Sequence, residues 1–287
     1  MKKNFLISLL LISLCFSLHA GGEQEKHEFT LGGTFGWSVL KMKMDLFKPM
    51  GGISAGYNYF FNDITGVSTG IGWSLYNWRL PQDPFSDSYL SNDGEEPFEF
   101  RSSFTGYEES YRASFLVIPL AIRFQYPLFS DDNLTYFSFG GKVGFPLGSK
   151  FSASGANFTT SGYYPAYDVL LETPESRGFG TFSTGGQKSN LTLRTMWALS
   201  AEAGMKWDIS AQYSLYAGLS VDYSLNSIGK EKGKSFLIYN PQSPTDWTFN
   251  SLMNSKYTQD GKTENFVNRA NPFTVGIVIR IAFKLPE

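Results

Sequence analysis

The chain has very little of what metal and thiol chemistry need. Its 287 residues include one cysteine and two histidines. Cys15 and His19 both fall in the first twenty positions, a stretch that reads as a secretory signal. Lys2 and Lys3 form its basic start, Phe5 to Leu14 its apolar run, and Leu18-His19-Ala20 its cleavage site. Leu14 stands where a lipoprotein signal needs a small residue, so Cys15 is not read as a lipid anchor. With residues 1–20 removed as signal peptide, the mature chain 21–287 has no thiol and no disulfide, and His27 is its only histidine. That is too few ligands for a metal centre, and no cofactor is expected. Basic charge is also scarce. Loss of Lys2 and Lys3 takes the 24 basic residues to 22 against 26 acidic ones, a net −4, so nucleic acid is not an expected partner. No run of eighteen apolar residues follows the signal, and the signal's own run is too short to span a bilayer. No segment shows a sustained 3.6-residue period, so helices are not expected to build the fold.

The chain does hold 17% aromatics, 29 glycines and a persistent two-residue alternation. From Leu191 to Trp207, Leu191, Leu193, Trp197, Leu199, Ala201, Ala203, Met205 and Trp207 alternate with Thr192, Arg194, Ser200, Glu202, Gly204 and Lys206. After the turn Asp208 to Gln212, Tyr213, Leu215, Leu219, Val221 and Tyr223 alternate with Ser214, Gly218, Ser220 and Asp222. Strand side chains point to opposite faces with period two, so each segment has one oily face and one small or polar face. The same pattern recurs around Phe29–Val39, Ile53–Phe61, Val67–Leu75, Phe115–Tyr126, Tyr136–Leu147 and Thr274–Phe283. This gives eight strands, with Asn62-Asp63 and Asp131-Asp132 marking short turns. Three long connections, 81–110, 148–190 and 227–271, alternate with shorter ones. The first carries Asp83, Asp87, Asp93, Glu95, Glu96, Glu99, Glu108 and Glu109 against Arg101, and is read as a solvated acidic loop without calcium-loop spacing. Even strand number with short and long connections in alternation is the grammar of an up-and-down outer-membrane barrel, long loops outside.

A soluble barrel of the lipocalin kind would hide the oily faces inside, and a membrane barrel would show them to lipid. The polar faces are built of Gly, Ser, Thr and Ala, which suits the narrow interior of eight strands. The oily faces run for about five alternate residues, the length a tilted strand needs to cross. Aromatics gather near strand ends, at Tyr57, Tyr59, Trp73, Tyr126, Trp207 and Tyr213. The expected fold is therefore an all-β, eight-stranded antiparallel up-and-down transmembrane β-barrel. Its parity sends Arg123, Lys142, Arg194, Glu202, Asp222 and Arg280 inward, as a charge network that fills the barrel rather than a conducting path. Pro119 falls on the inward face, where a kink or bulge is expected from its missing donor.

Two stretches carry a resemblance. Phe115-Leu116-Val117-Ile118-Pro119-Leu120-Ala121-Ile122-Arg123-Phe124 is similar to the I-P-L strand of the outer-membrane β-barrel domain family, which includes PorT-like and porin-like small barrels. Thr274-Val275-Gly276-Ile277-Val278-Ile279-Arg280-Ile281-Ala282-Phe283 resembles the closing signal read by the outer-membrane insertion machinery, with Lys284 to Glu287 following it. The resemblance implies an eight-stranded outer-membrane barrel and no specific activity.

The expected function is that of a non-enzymatic protein of the cell outer membrane, whose partners are the membrane lipid, the insertion machinery during biogenesis and a protein partner at the long loops. A narrow porin-like channel is the alternative. Catalysis would have to use His27, at the end away from the long loops, and is not expected.

Overall fold

The computed structural model describes residues 26–40, 47–130, 133–154, 157–184, 186–230, 233–259 and 261–285. The expected signal 1–20, most of the first connection and the Asp131-Asp132 turn lie outside the described residues. Eight long strands carry the alternation: β1 (His27–Leu40), β2 (Lys48–Phe60), β3 (Thr65–Pro81), β4 (Glu108–Ser130), β5 (Asn133–Ser154), β6 (Met196–Asp208), β7 (Tyr213–Ser224) and β8 (Pro272–Lys284). Each pairs antiparallel with its neighbours in sequence, and β8 returns to β1 with Phe283 opposite Phe29. The ring is closed, so every strand has two partners and no barrel edge is left unpaired. At the Asn62 turn the side-chain carbonyl accepts from the Ile64 and Thr65 amides, the local bond for which Asn is chosen there.

Parity decides the two faces. Leu31, Phe35, Ile53, Ile71, Leu120 and Leu219 stand outward and are more than half exposed, while Thr30, Ser138, Glu202 and Ser220 on the other face are buried. A belt of large apolar side chains left exposed around a closed ring is unfavourable in water and favourable in lipid. Where β6 and β7 cross, Gly204 faces Gly218, and a Cβ on Gly204 would fall 2.2 Å from the Ala217 carbonyl oxygen. That close approach needs glycine. Pro119 interrupts the ladder to β3, which is paired up to Thr69–Leu120 and resumes at Gly72–Val117 in the same register. The bulge lies elsewhere, between Ser114 and Phe115 opposite Leu147. It turns Phe151 and Ala153 of β5 inward, where both are buried.

The long connections are not solvated loops. Phe85–Asn92 and Pro97–Thr105 form a hairpin, which Asn157–Tyr164 and Gly180–Ser183 extend into one sheet, with Val169–Leu171 pairing on its flank. Phe98, Phe100, Phe104 and Phe158 on one face of this sheet are fully buried against Phe236, Leu237 and Leu252 of the β7–β8 connection. Phe104 stacks on Phe85 at 4.8 Å and on Phe158 at 5.2 Å, and meets Phe236 edge-on at 5.1 Å. The cluster continues without a break into the upper barrel through Tyr76, Trp78, Phe115 and Met196. The three connections thus form a cap with its own aromatic core, seated on the barrel mouth. Two strand starts move accordingly. β4 begins at Glu108 rather than Phe115, and β6 begins at Met196, leaving Leu191 and Leu193 buried in the cap instead of facing outward.

Candidate functional site

The barrel interior is the first place where the sequence expects function. At its lower end Lys206 bonds Glu28 at 2.6 Å, and the same carboxylate accepts from Asn58 Nδ2 at 3.1 Å and from the Tyr216 hydroxyl at 2.7 Å. Lys206 also lies over the rings of Tyr216 and Phe60, 5.5 and 5.7 Å from their centroids. One layer up, Arg280 grips both oxygens of Glu202, and the Tyr136 hydroxyl donates to the same carboxylate at 2.7 Å. The Arg123 guanidinium sits 5.0 Å from the centroids of both Tyr136 and Tyr216. Its Nε donates to Ser138 Oγ at 2.9 Å, and Nη2 lies 3.8 Å from Glu202. Higher still, Lys142 Nζ bonds both oxygens of Asp222 at 2.8 and 3.0 Å, and Thr274 donates to Asp222 at 3.2 Å.

Between these layers is a cavity of about 100 Å³ lined by Thr34, Ser54, Ser68 and Ser74 with Arg123, Glu202 and Arg280. Tyr136, Tyr216 and the Glu28–Lys206 pair form the floor, all buried. Phe115 and Met196 meet across Gly144 as the ceiling, where a Cβ would come within 3.3 Å of the Phe115 ring.

Of the six expected interior charges, the structure brings Arg123, Glu202 and Arg280 together, sets Lys142 and Asp222 as a pair above them, and leaves Arg194 out. Arg194 is exposed, and its guanidinium donates to the Lys230 carbonyl at 2.9 Å. The reason is local. Leu193 bridges to Gly229 and the Arg194 amide bonds Ile228, so the chain leaves the barrel before position 194 and the parity of β6 does not reach it. Sequence reasoning missed Glu28 and Lys206. Both carry the signal, an even position in register with Thr30 and Glu202, but Glu28 precedes the alternation read from Phe29 and Lys206 has no partner visible in the sequence.

His27 packs against Tyr57 and Tyr59 at the lower rim and hydrogen-bonds the Tyr57 hydroxyl. Among the described residues, no three His, Cys, Asp or Glu side chains are placed to hold a metal ion.

The cap holds two buried carboxylates. Glu109, fully buried at the root of β4, accepts from the hydroxyls of Tyr107, Tyr111 and Ser251 and from the Leu252 amide. It thereby ties β4 to the β7–β8 connection. Asp87 accepts from the Thr258 amide at 2.7 Å through Oδ1, while Oδ2 is buried with no partner among the described residues. Burial pushes the Asp87 carboxyl up to about 6, against the lowering pull of that amide. A raised carboxylate pKa means that the folded cap holds the proton more tightly than the unfolded chain does. Stability is fully present below about pH 4 and falls as pH rises to about 6. Asp87→Asn keeps an acceptor for Thr258 and removes the charge. It is expected to stabilise the cap at pH 7 by up to about 3 kcal/mol, the worth of two pKa units, and to flatten its pH dependence. Cap unfolding followed between pH 4 and 7 checks both.

A model of the outer membrane protein beta-barrel domain matches residues 22–230, most of the chain. The chain belongs to that family. Its outward apolar face is therefore the lipid-facing surface of an outer-membrane barrel. Among solved structures it is similar to neisserial surface protein A, at 9% identity over 92% of this chain and 100% of that one, with a TM-score of 0.38. It is also similar to Ail, the attachment invasion locus protein of Yersinia pestis, at 14% identity over 91% and 98% of the two chains, TM-score 0.30. A search of curated proteins gave no match. In this outer-membrane beta-barrel domain most interior charges are met by one another, with Arg123 the least well paired, and the cap stands beyond the apolar belt.

Proposed function

We propose that the protein is a non-enzymatic outer-membrane anchor that presents its cap outside the cell for contact with a partner protein or surface. One observation carries the reading. The core of the cap is continuous with the ceiling of the barrel, so the connections form a preorganised surface rather than a fringe of mobile loops. The channel alternative is disfavoured by the same packing, since buried Phe115 and Met196 above and the buried Glu28–Lys206 pair below crowd a lumen whose cavity is only about 100 Å³. An enzyme would have to act through His27, whose ring is engaged by tyrosines at the opposite end.

Two measurements test the proposal together. Purified protein in a planar bilayer is expected to show no discrete conductance steps. An epitope inserted at Gly94, an exposed turn in which nothing lies within 4 Å of an added Cβ, is expected to bind antibody on intact cells. Regular openings would restore the channel reading, and an epitope reached only after lysis would reverse the orientation.

A further inference from the structure

The outer wall just above the lipid belt carries a cationic cleft that the interior and the cap do not use. Arg112 of β4 stands directly opposite Lys150 of β5, and both are exposed. Asn77 flanks Arg112 and Asn190 flanks Lys150 on the same rung. Like charges directly opposite on paired strands repel, and neither cation has an ion-pair partner among the described residues. Lys188 stands one rung away, opposite Ser152, and adds a third positive charge. A cleft of about 530 Å³ opens at this rung, lined by Arg112, Lys150, Ser114, Ser149 and Asn190, with Leu75 and Leu191 as its apolar walls.

Its height on the barrel identifies the occupant. Two rungs below Arg112 on the outward face lies Leu116, level with Trp73 and Phe145, where the apolar belt begins. Those four residues span about 13 Å along the strand, or roughly 10 Å of height at the tilt of a barrel strand. Leu75, opposite Ser114, stands half-way, so the long cationic side chains reach the headgroup layer. Exposed Trp73 and Leu147 mark that boundary. A guanidinium and an ammonium with the Asn190 side-chain amide beside them match a phosphate, and the apolar wall below matches an acyl chain.

We propose that Arg112 and Lys150 hold the phosphate of a phosphorylated lipid in the leaflet that meets the cap end. The inference rests on the barrel lying in a bilayer, and is independent of which side of the membrane the cap faces. Native mass spectrometry of the full protein in detergent tests it, with lipid A, dephosphorylated lipid A and inorganic phosphate as probes. The wild type retains lipid A at least about tenfold more tightly than its dephosphorylated form, the scale of one charge-assisted bond. The Arg112→Gln/Lys150→Gln double variant loses that preference, and Lys262→Gln, an exposed lysine at the cap tip, keeps it. Equal retention of both lipids by the wild type overturns the proposal without reference to any variant. So does a double variant with unchanged preference and wild-type circular dichroism. Displacement of lipid A by an equal concentration of inorganic phosphate overturns the assignment to lipid. The readout is taken in detergent, so its failure leaves the surface-contact reading untouched, and a wrongly oriented cap would leave this result intact.

Discussion

Glu202→Leu is expected to destabilise the barrel by about 3–5 kcal/mol, the cost of breaking a buried ion pair from one side. Glu202 is a carboxylate shared by two guanidinium groups, since Arg280 takes both its oxygens and Arg123 approaches to 3.8 Å. The leucine would leave both cations and the Tyr136 hydroxyl without their carboxylate, with Asp222 already engaged by Lys142. Arg123 already has one nitrogen, Nη1, without a protein partner, so this layer has no spare acceptor to offer. Adding Arg280→Leu should restore part of the loss, because it removes one of the two stranded guanidiniums and leaves only Arg123 uncompensated. Urea unfolding from lipid vesicles, followed by tryptophan fluorescence, reads both values. Full tolerance of Glu202→Leu would mean that water in the 100 Å³ cavity solvates the charges, and the interior would then be wet rather than paired.

The barrel was legible because lipid and lumen impose opposite demands on successive residues. Leu199 beside Ser200 and Leu219 beside Ser220 repeat one bit of information at every step, and a one-residue slip would turn every side chain the wrong way. The interior charges were legible for the same reason, but only while the chain stays in the strand. Arg194 shows the limit, since its parity was right for a strand that starts two residues later. The cap was hidden by its acids. Phe98, Phe100 and Phe104 alternate as clearly as any barrel strand, yet Glu95, Glu96 and Glu99 around them dominate the composition. The alternation also carried no sign of what the aromatic face would meet. Its partners Phe236 and Phe249 lie more than a hundred residues further on, Phe236 between two strands of two residues each and Phe249 in a third, which no periodicity marks. Glu109 looked like one more solvated acid because the hydroxyls that bury it come from Tyr107 and Tyr111 beside it and from the distant Ser251.

Phe104→Ala separates the two bodies that this packing joins. Phe104 is fully buried and meets Phe85, Tyr107, Phe158, Phe236 and Phe249, drawn from all three connections. Truncating such a ring costs about 3–5 kcal/mol, because the neighbours collapse only partly into the space. The barrel's hydrogen bonds close on themselves around the ring, so the loss should fall on the cap, which has no such closure. Amides in 97–105, 157–164 and 248–249 are then expected to exchange about a hundredfold faster or more, at roughly 1.4 kcal/mol per factor of ten. Amides of β6 and β7 at the level of Glu202 should keep their protection. Glu202→Leu should give the opposite map, weakening the ring first. If Phe104→Ala instead speeds exchange evenly through β6 and β7, cap and barrel unfold as one unit. The projecting surface would then owe its order to the membrane-embedded ring, and an aromatic core of its own would not be enough to hold it.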